Sequence, residues 1–594
     1  MTEDAAARLA RARELHRAGD PAAAAAYREA LARDPSLAIA WQGLGVLAQR
    51  SRRWAEAVDA YARAAAIEPA NSAYGAQLGA ALTGAGRADE AISVLDRVLS
   101  GDPRCVAAWI HLGSACQRAG DPDRAIAALE RALELVPGHA AAMNNLGNLY
   151  KETGRVADAI AAYERALAAD PAFAVAASNR LAAMKLAVDR TPEAILSEHR
   201  AWARVVERAA HPRPAVRPGV DVPDRPLAIG YLSPDAHTAL PAFVRPVLLA
   251  HDPSRFRVHV YTNNPQRPDP ALEARVARRV LAGLDDARAA ALIAADDLDL
   301  LVDLAGHTGH NRLAVFARRP ARVALTWLDY LSTTGMASID YRITDAVADP
   351  PDAAERAHSE RLLRLPVPAW CWAPPDGAPP VVAPPLAASG TPTFGSFNHA
   401  LKLTDATLSI WRTLFAALPR SRLVAVGLPS GRTRERVLAG LAVATDRVDF
   451  LPRLDEAAYR RAYDRVDVAL DPHPFSGATT TLDALWQGVP VVTLPGPWAG
   501  SRSPASLLAG LGAGAWVAGD ATGYVAIARS LVADADALAS IRRSLRSRVL
   551  ATPMARPDVF VAHLEQAYRD AWSAYCSGEL AREDAERARS RVLD

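Results

Sequence analysis

The sequence predicts an α-helical repeat solenoid followed by two parallel α/β sheets. Two patterns and the breaks between them predict it. Pro35, Pro69, Pro103, Pro137 and Pro171 recur at intervals of 34 residues, and self-similarity at such a period marks stacked helical units. Further on, short apolar runs alternate with helical patterns on the spacing of doubly wound sheets. Proline-rich stretches separate these segments, as domain linkers do. The expected boundaries are 1–185 for the solenoid, 186–225 for a helical and proline-rich linker, and 226–385 and 386–594 for the two sheets, the last with closing C-terminal helices.

Within the array the other positions keep the same register. Leu44-Gly45, Leu78-Gly79, Leu112-Gly113 and Leu146-Gly147 are equivalent, as are Ala57, Ala91, Ala125 and Ala159, and the bulky set Tyr61, Leu95, Leu129 and Tyr163. Trp41 and Trp109 fill one position, with Gly75 and Met143 at its other copies. A glycine at a helix crossing permits close approach, an alanine packs at the crossing, and a proline ends the second helix. The pattern looks like the tetratricopeptide repeat, with a partial unit ahead at Tyr27 and Ala30. Stacked helix pairs present a concave surface that grips an extended peptide or another protein. Asn144, Asn145 and Asn148 are candidates to hydrogen-bond a ligand backbone there, or to cap a helix.

The first sheet is expected to open with the strand Leu227 to Leu232, followed by Ser233-Pro234-Asp235-Ala236-His237-Thr238 and a helix through Phe243 to Leu249. Further strands are expected at Val258 to Tyr261, Leu298 to Leu304, Val323 to Trp327 and Tyr341 to Asp345. Open α/β sheets bind ligands at the carboxyl ends of their strands. His237, His307, His310, Arg312 and Asp345 follow such ends and are expected to converge on one crevice.

After a second proline-rich linker, Pro374 to Pro392, comes the stretch from Val466 to Pro490. An apolar run, a Pro/Ser/Gly loop and a helix opening near Thr481 and ended by Gly488 form half of a βαβ unit, and Val491 to Leu494 supplies the next strand. Thr479, Thr480 and Thr481 bring hydroxyls and unpaired amides to a positive helix end, which suits a phosphate. Asp483, one turn on, is placed to accept hydrogen bonds from a ribose. Equally, the loop reads as an ordinary helix N-cap. Lys402 tips the balance toward the phosphate unless it is a surface lysine with no role. Of 68 basic residues only Lys151, Lys185 and Lys402 are lysines, and a lysine retained where arginine is the rule suggests a need for a compact, mobile ammonium.

Composition narrows the class. Half of the 594 residues are hydrophobic and the formal net charge is +2, which fits a multidomain globular protein. Arginines are interleaved with acidic residues rather than gathered in a basic stripe, so no nucleic-acid partner is expected. Neither an N-terminal leader nor a membrane span is recognisable, and a cytoplasmic location is expected. Cys105, Cys116, Cys371 and Cys576 lack metal-ligand spacing and read as free thiols.

Taken together the motifs resemble the bacterial branch of the O-linked N-acetylglucosamine transferase family, which fuses tetratricopeptide repeats to a catalytic half of GT-B architecture. The resemblance rests on Gly230 to Asp235, Gly306-His307-Thr308 with Arg312 and Arg319-Pro320, Trp327-Leu328 with Thr333-Thr334-Gly335, Asp340 to Asp345, Ser359 to Leu362, Phe397-Asn398 with Lys402-Leu403, and Gly477 with Thr479 to Thr481, Asp483, Leu485-Trp486 and Gly488-Val489-Pro490. It implies two Rossmann-like domains with a nucleotide-sugar donor on the second. It implies that Lys402 holds the donor diphosphate and stabilises the departing nucleotide, with Asn398 and His399 beside it. Gly477 and the three threonines would surround the phosphates, Asp483 would bind the ribose, and Tyr459 would stand near the nucleobase where relatives have a histidine. The implied chemistry is an inverting glycosyl transfer without metal or other cofactor, charge being neutralised by the lysine, amides and hydroxyls.

Some positions depart from the family. Its Trp-Leu-Gly-Tyr-Pro-Gly-Thr-Thr-Gly turn becomes Trp327 to Gly335 with Asp329 and Leu331, which puts a carboxylate and a bulkier side chain near the reacting centre. His237 falls earlier after Asp235 than the family's cleft histidine. Some bacterial members resemble flagellin glycosyltransferases that use a CMP-linked nonulosonic acid such as pseudaminic acid, so both that donor and UDP-N-acetylglucosamine stay open. His237, His307 and His310, in that order, are the candidates for a general base, each of which reads otherwise as a hydrogen-bonded cleft histidine. The competing reading is a catalytically silent scaffold that uses only its repeats.

Overall fold

The computed structural model describes residues 3–187, 190–210, 222–234, 241–264 and 270–580. It divides into two compact units, Met1–Ala176 with Pro429–Arg434, and Ala177–Leu428 with Glu435–Asp594.

The first unit is a succession of antiparallel helix pairs, from Glu3–Ala18 with Ala23–Arg33 to Ala140–Glu152 with Val156–Ala169. Its packing explains the repeat. A Cβ built on Gly45 would lie 2.7 Å from the Tyr61 ring, one on Gly79 2.5 Å from Leu95, one on Gly113 2.8 Å from Leu129 and one on Gly147 2.6 Å from Tyr163. Each glycine therefore receives the bulky side chain of its own repeat, and any larger residue would part the helices. The four equivalent alanines are fully buried. The Trp41 indole donates to the Pro35 carbonyl and that of Trp109 to Pro103, at 3.0 and 2.9 Å. Asn148 is engaged within its own repeat, accepting from the Tyr163 hydroxyl at 2.8 Å.

Among its described residues the second unit holds two sheets. The first comprises β1 (Leu227–Ser233), β2 (Phe256–Thr262), β3 (Ala277–Val280), β4 (Leu300–Asp303), β5 (Val323–Thr326), β6 (Tyr341–Asp345) and β7 (Arg361–Leu365), in the order β3-β2-β1-β4-β5-β6-β7. The second comprises β8 (Thr393–Ser396), β9 (Arg422–Val426), β10 (Val448–Leu451), β11 (Val468–Leu470) and β12 (Val491–Val492), in the order β10-β9-β8-β11-β12. Every pairing is parallel. The five strands expected in the first sheet are present with slightly shifted ends. Its two edge strands, β3 and β7, were not expected: β3 is largely exposed and β7 half-buried, so neither carries the apolar run of a strand covered on both faces.

The segment between array and first sheet is more than a connector. Its helix Pro192–Ala209, N-capped by Thr191, belongs to the second unit and buries Ile195, Leu196, His199 and Ala203. The helix Pro557–Cys576 returns to the first sheet, where Phe560 stacks on Trp327 at 5.9 Å and the Tyr568 hydroxyl meets that of Tyr231 at 2.9 Å. All four cysteines are free thiols. Among the described residues no helix is long and apolar enough to cross a membrane.

Candidate active site on the second sheet

The site is built from the carboxyl ends of β8 and β11. After β11 the chain turns at Asp471, which is 3% exposed. Its Oδ1 accepts the Gly477 amide at 2.8 Å and its Oδ2 the Thr493 hydroxyl at 2.7 Å, so one carboxylate ties the loop's far end to the next strand. Burial pushes this carboxyl up to about 6, with those donors and the Lys402 charge opposing the shift. The helix Ala478–Trp486 then starts with Gly477 as its N-cap and no side-chain cap. Its opening amides, those of Ala478, Thr479 and Thr480, have no intrahelical acceptor and carry the positive end of the helix dipole.

Gly477 is required by space. A Cβ there would lie 2.0 Å from Thr480 Oγ1 and 2.4 Å from Asn398 Oδ1. The Thr480 hydroxyl donates to Asn398 Oδ1 at 3.1 Å, which joins the helix start to the end of β8. Thr479 is exposed, Thr480 half-buried and Thr481 buried. Asn398, Asp471, Thr480 and Thr481 line one small recess with Phe397 and backbone of the strand ends.

Lys402 closes a short turn, Ala400–Lys402, beyond β8. Thr404 and Thr407 both donate to the His473 carbonyl, at 2.8 and 2.6 Å, and so latch this segment onto the loop. The Lys402 ammonium donates to the Ser476 carbonyl at 2.8 Å and lies 5.3 Å from the centre of the Phe475 ring. Burial lowers its pKa to about 8, the Asp471 carboxylate partly offsetting this. The exposed His399 lies three residues before it.

On the other flank Phe397 stacks on Tyr463 at 3.7 Å between ring centres, and Tyr459 meets both edge-on. The Tyr459 hydroxyl donates to Asp483 Oδ2 at 3.1 Å. Asp483 is half-buried, and burial pushes its carboxyl up to about 6 against that hydrogen bond. The structure thus brings Asn398, Thr480 and Thr481 around one strand-end recess, with Gly477 packed against Thr480 and Asn398, Lys402 tied to the adjoining loop through the Ser476 carbonyl, and the Tyr459–Asp483 pair on the flank beside Phe397.

The first-sheet candidates do not converge in the same way. His307 is 1% exposed, its Nε2 is 2.9 Å from the Thr334 carbonyl, and His199, Trp202 and Tyr330 pack around the ring. Burial lowers its pKa to about 3. The expectation of a cleft histidine is corrected: this ring is packed and neutral. Arg312 is corrected likewise, since its guanidinium reaches Asp286 at 2.7 Å, Asn263, and the Leu281 and Leu284 carbonyls. Asp345 accepts from the Val347, Ala348 and Ala369 amides and from the Ser506 hydroxyl, and so links the two halves of this unit instead of facing a cleft. His310 and Asp329 are exposed. His237 lies outside the described residues.

Asp329 sits in an unusual turn. Leu328, Asp329 and Leu331 have φ of +61°, +28° and +49°, a left-handed run that costs about 1–2 kcal/mol per non-glycine residue and needs support from its surroundings. The turn approaches the second sheet through the Leu331 carbonyl, which accepts the Gly500 amide at 3.1 Å. Two further side chains, Asp471 and Phe475, shape this junction. Asp471 ends an apolar strand run, a recognisable position; Phe475 carries no signal of its own.

A family model described as glycosyl transferase family 41 matches residues 209–369 and 389–563, and tetratricopeptide-repeat models match 4–73 and 104–172. A rice (Oryza sativa subsp. japonica) protein described as a probable UDP-N-acetylglucosamine–peptide N-acetylglucosaminyltransferase, SPINDLY, is 37% identical over 415 residues, 68% of this chain and 45% of that protein. Its Arabidopsis thaliana counterpart is 36% identical over 416 residues, with the same coverage. The chain thus matches less than half the length of these curated relatives. A solved mutant of Thermobaculum terrenum O-GlcNAc transferase is 34% identical with a TM-score of 0.79, the match covering 86% of this chain and 99% of that one. A match to more than half of the chain, on a repeat array followed by two parallel sheets, makes the protein a member of glycosyl transferase family 41, of the branch fused to tetratricopeptide repeats.

Proposed function

We propose that this protein is an O-glycosyltransferase that moves a sugar from a nucleotide-sugar donor to Ser or Thr hydroxyls of a protein acceptor engaged by the repeats. The observation that carries the reading is the placement of Lys402: its ammonium lies on the loop that leads into an uncapped helix start bearing Thr479, Thr480 and Thr481. A diphosphate seated there would meet an ammonium, two or three free amides and hydroxyl donors. As the bond to the anomeric carbon breaks, negative charge grows on the departing phosphate oxygen, and donors already in place stabilise it without reorganising. Asp483 and Tyr459 would take the ribose and base side of the nucleotide, since a carboxylate accepts from ribose hydroxyls and a tyrosine ring stacks on a base.

These groups neutralise charge without a divalent ion, and we read the reaction as metal-independent and inverting. His307 is not assigned as the base. The relatives' names point to UDP-N-acetylglucosamine as the first donor to try. Flagellin and a nonulosonic acid have no support from the relatives named above and rank behind it.

The test is intact-mass analysis of acceptor proteins incubated with UDP-N-acetylglucosamine and this protein. A gain of one N-acetylhexosamine per site, lost with Lys402→Ala, is expected. No mass gain on any acceptor with either UDP-N-acetylglucosamine or a CMP-linked nonulosonic acid, with partner capture by the repeats intact, would instead favour the silent scaffold.

A further inference from the structure

We propose that Lys185 is a positioning residue of the transfer site, holding the left-handed turn of residues 328–331 against the Phe475–Ser476 loop on which the Lys402 ammonium rests. The proposal rests on the donor reading above. Lys185 is one of only three lysines in the chain, follows the helix Ala174–Met184 and is 4% exposed. Its ammonium donates to the Tyr330 carbonyl at 2.5 Å and sits 3.3 Å from the centre of the Tyr330 ring. It therefore grips both backbone and side chain of the residue between the left-handed Asp329 and Leu331.

The contacts continue to the phosphate loop. The same ammonium lies 5.6 Å from the Phe475 ring, whose centre is also 5.3 Å from the Lys402 ammonium. A Cβ on Gly500 would lie 3.0 Å from Phe475, and Gly500 joins Leu331 by its amide and Ser476 by its carbonyl. Turn, Gly500, Phe475 and Lys402 thus form one connected set, with Lys185 at its first-sheet end. The helical segment behind it packs on the same region: Glu207 accepts the Ser338 amide at 2.8 Å, and His199 meets the Tyr330 hydroxyl at 2.6 Å. A lysine suits this place because a compact ammonium can donate to a carbonyl while lying over two aromatic rings.

The experiment compares Lys185→Met and Lys185→Gln with wild type, using UDP binding by calorimetry and steady-state transfer from UDP-N-acetylglucosamine, with Lys402→Ala as control. Lys185→Met is expected to lower kcat at least 30-fold while the Kd for UDP stays within threefold. Lys185→Gln can still donate to the Tyr330 carbonyl and is expected to come within fivefold of wild type. Transfer by Lys185→Met within twofold of wild type overturns the proposal. So does a parallel loss of UDP affinity and kcat in both variants, which would mark a general structural role. If Lys185→Met does not fold, Lys185→Gln decides: a kcat more than tenfold below wild type overturns the assignment. Wild type that does not bind UDP, or Lys402→Ala that transfers normally, removes the donor reading itself.

Discussion

The loops after β4 and after β11 are built by the same device and end differently. Each strand runs into a buried aspartate, Asp303 or Asp471, that accepts amides of the following loop and a threonine hydroxyl at the end of the neighbouring strand: Gly306 and Thr326 in one case, Gly477 and Thr493 in the other. Burial pushes both carboxyls up to about 6. After that point the loops diverge. In the first, His307 and Arg312 spend their bonding capacity on carbonyls and side chains of their own scaffold. In the second, the chain enters a helix with no side-chain cap and leaves Thr479 exposed. The strand-end aspartate shapes a loop; the unspent donors that follow decide whether the loop can bind a ligand.

The comparison can be broken at several points. The largest effect is expected from Lys402→Ala, which removes the ammonium from the open loop and should lower kcat by about 10²–10³-fold, the range for losing one donor to a developing anion. Transfer kinetics at saturating donor measure it. Asp471→Ala comes next. It leaves the Gly477 amide and Thr493 hydroxyl unpartnered in a buried place and should cost about 2–6 kcal/mol, at about 1–3 kcal/mol per orphaned group, with donor binding lost as the loop relaxes. Urea denaturation and UDP titration report the two effects separately.

Gly477→Ala should be milder for stability but sharp for the site. The new Cβ would displace the Thr480 hydroxyl from Asn398, and a rise in donor KM of about tenfold is expected, matching about 1.4 kcal/mol. Arg312→Ala reverses the pattern on the first sheet. Its loss should lower stability by about 1–2 kcal/mol, because the guanidinium's bonds are part-buried and partly to carbonyls, while the Kd for UDP in the folded protein stays unchanged. Loss of UDP affinity in that variant would erase the distinction between the two loops.

Much of this contrast was legible in the residues. The 34-residue period was clear because every repeat must meet the same close approach, glycine against a bulky side chain. In the second-sheet loop the glycine, three threonines and rare lysine marked a helix start, and the structure shows that start without a side-chain cap. The first-sheet loop was misread at His307 and Arg312 because residue type at a strand end does not reveal what packs over it. There the covering elements come from far along the chain: the helix Pro192–Ala209 beside His307, and Asn263 and Asp286 beside Arg312. Lys185 was hidden for the same reason, its partners Tyr330 and Phe475 being 145 and 290 residues away in the chain.

Leaving-group stabilisation as proposed needs the charge of Lys402 at the moment the donor departs, and the pH dependence of kcat/KM tests it most directly. Burial lowers this ammonium to about 8, so the protonated form is lost as pH rises through that value, and kcat/KM reports the free enzyme. Wild type is expected to lose kcat/KM above about pH 8, and Lys402→Arg, which stays protonated, to show no such limb at whatever lower rate it retains. An identical alkaline limb in both proteins would assign the titration to another group and contradict the claim.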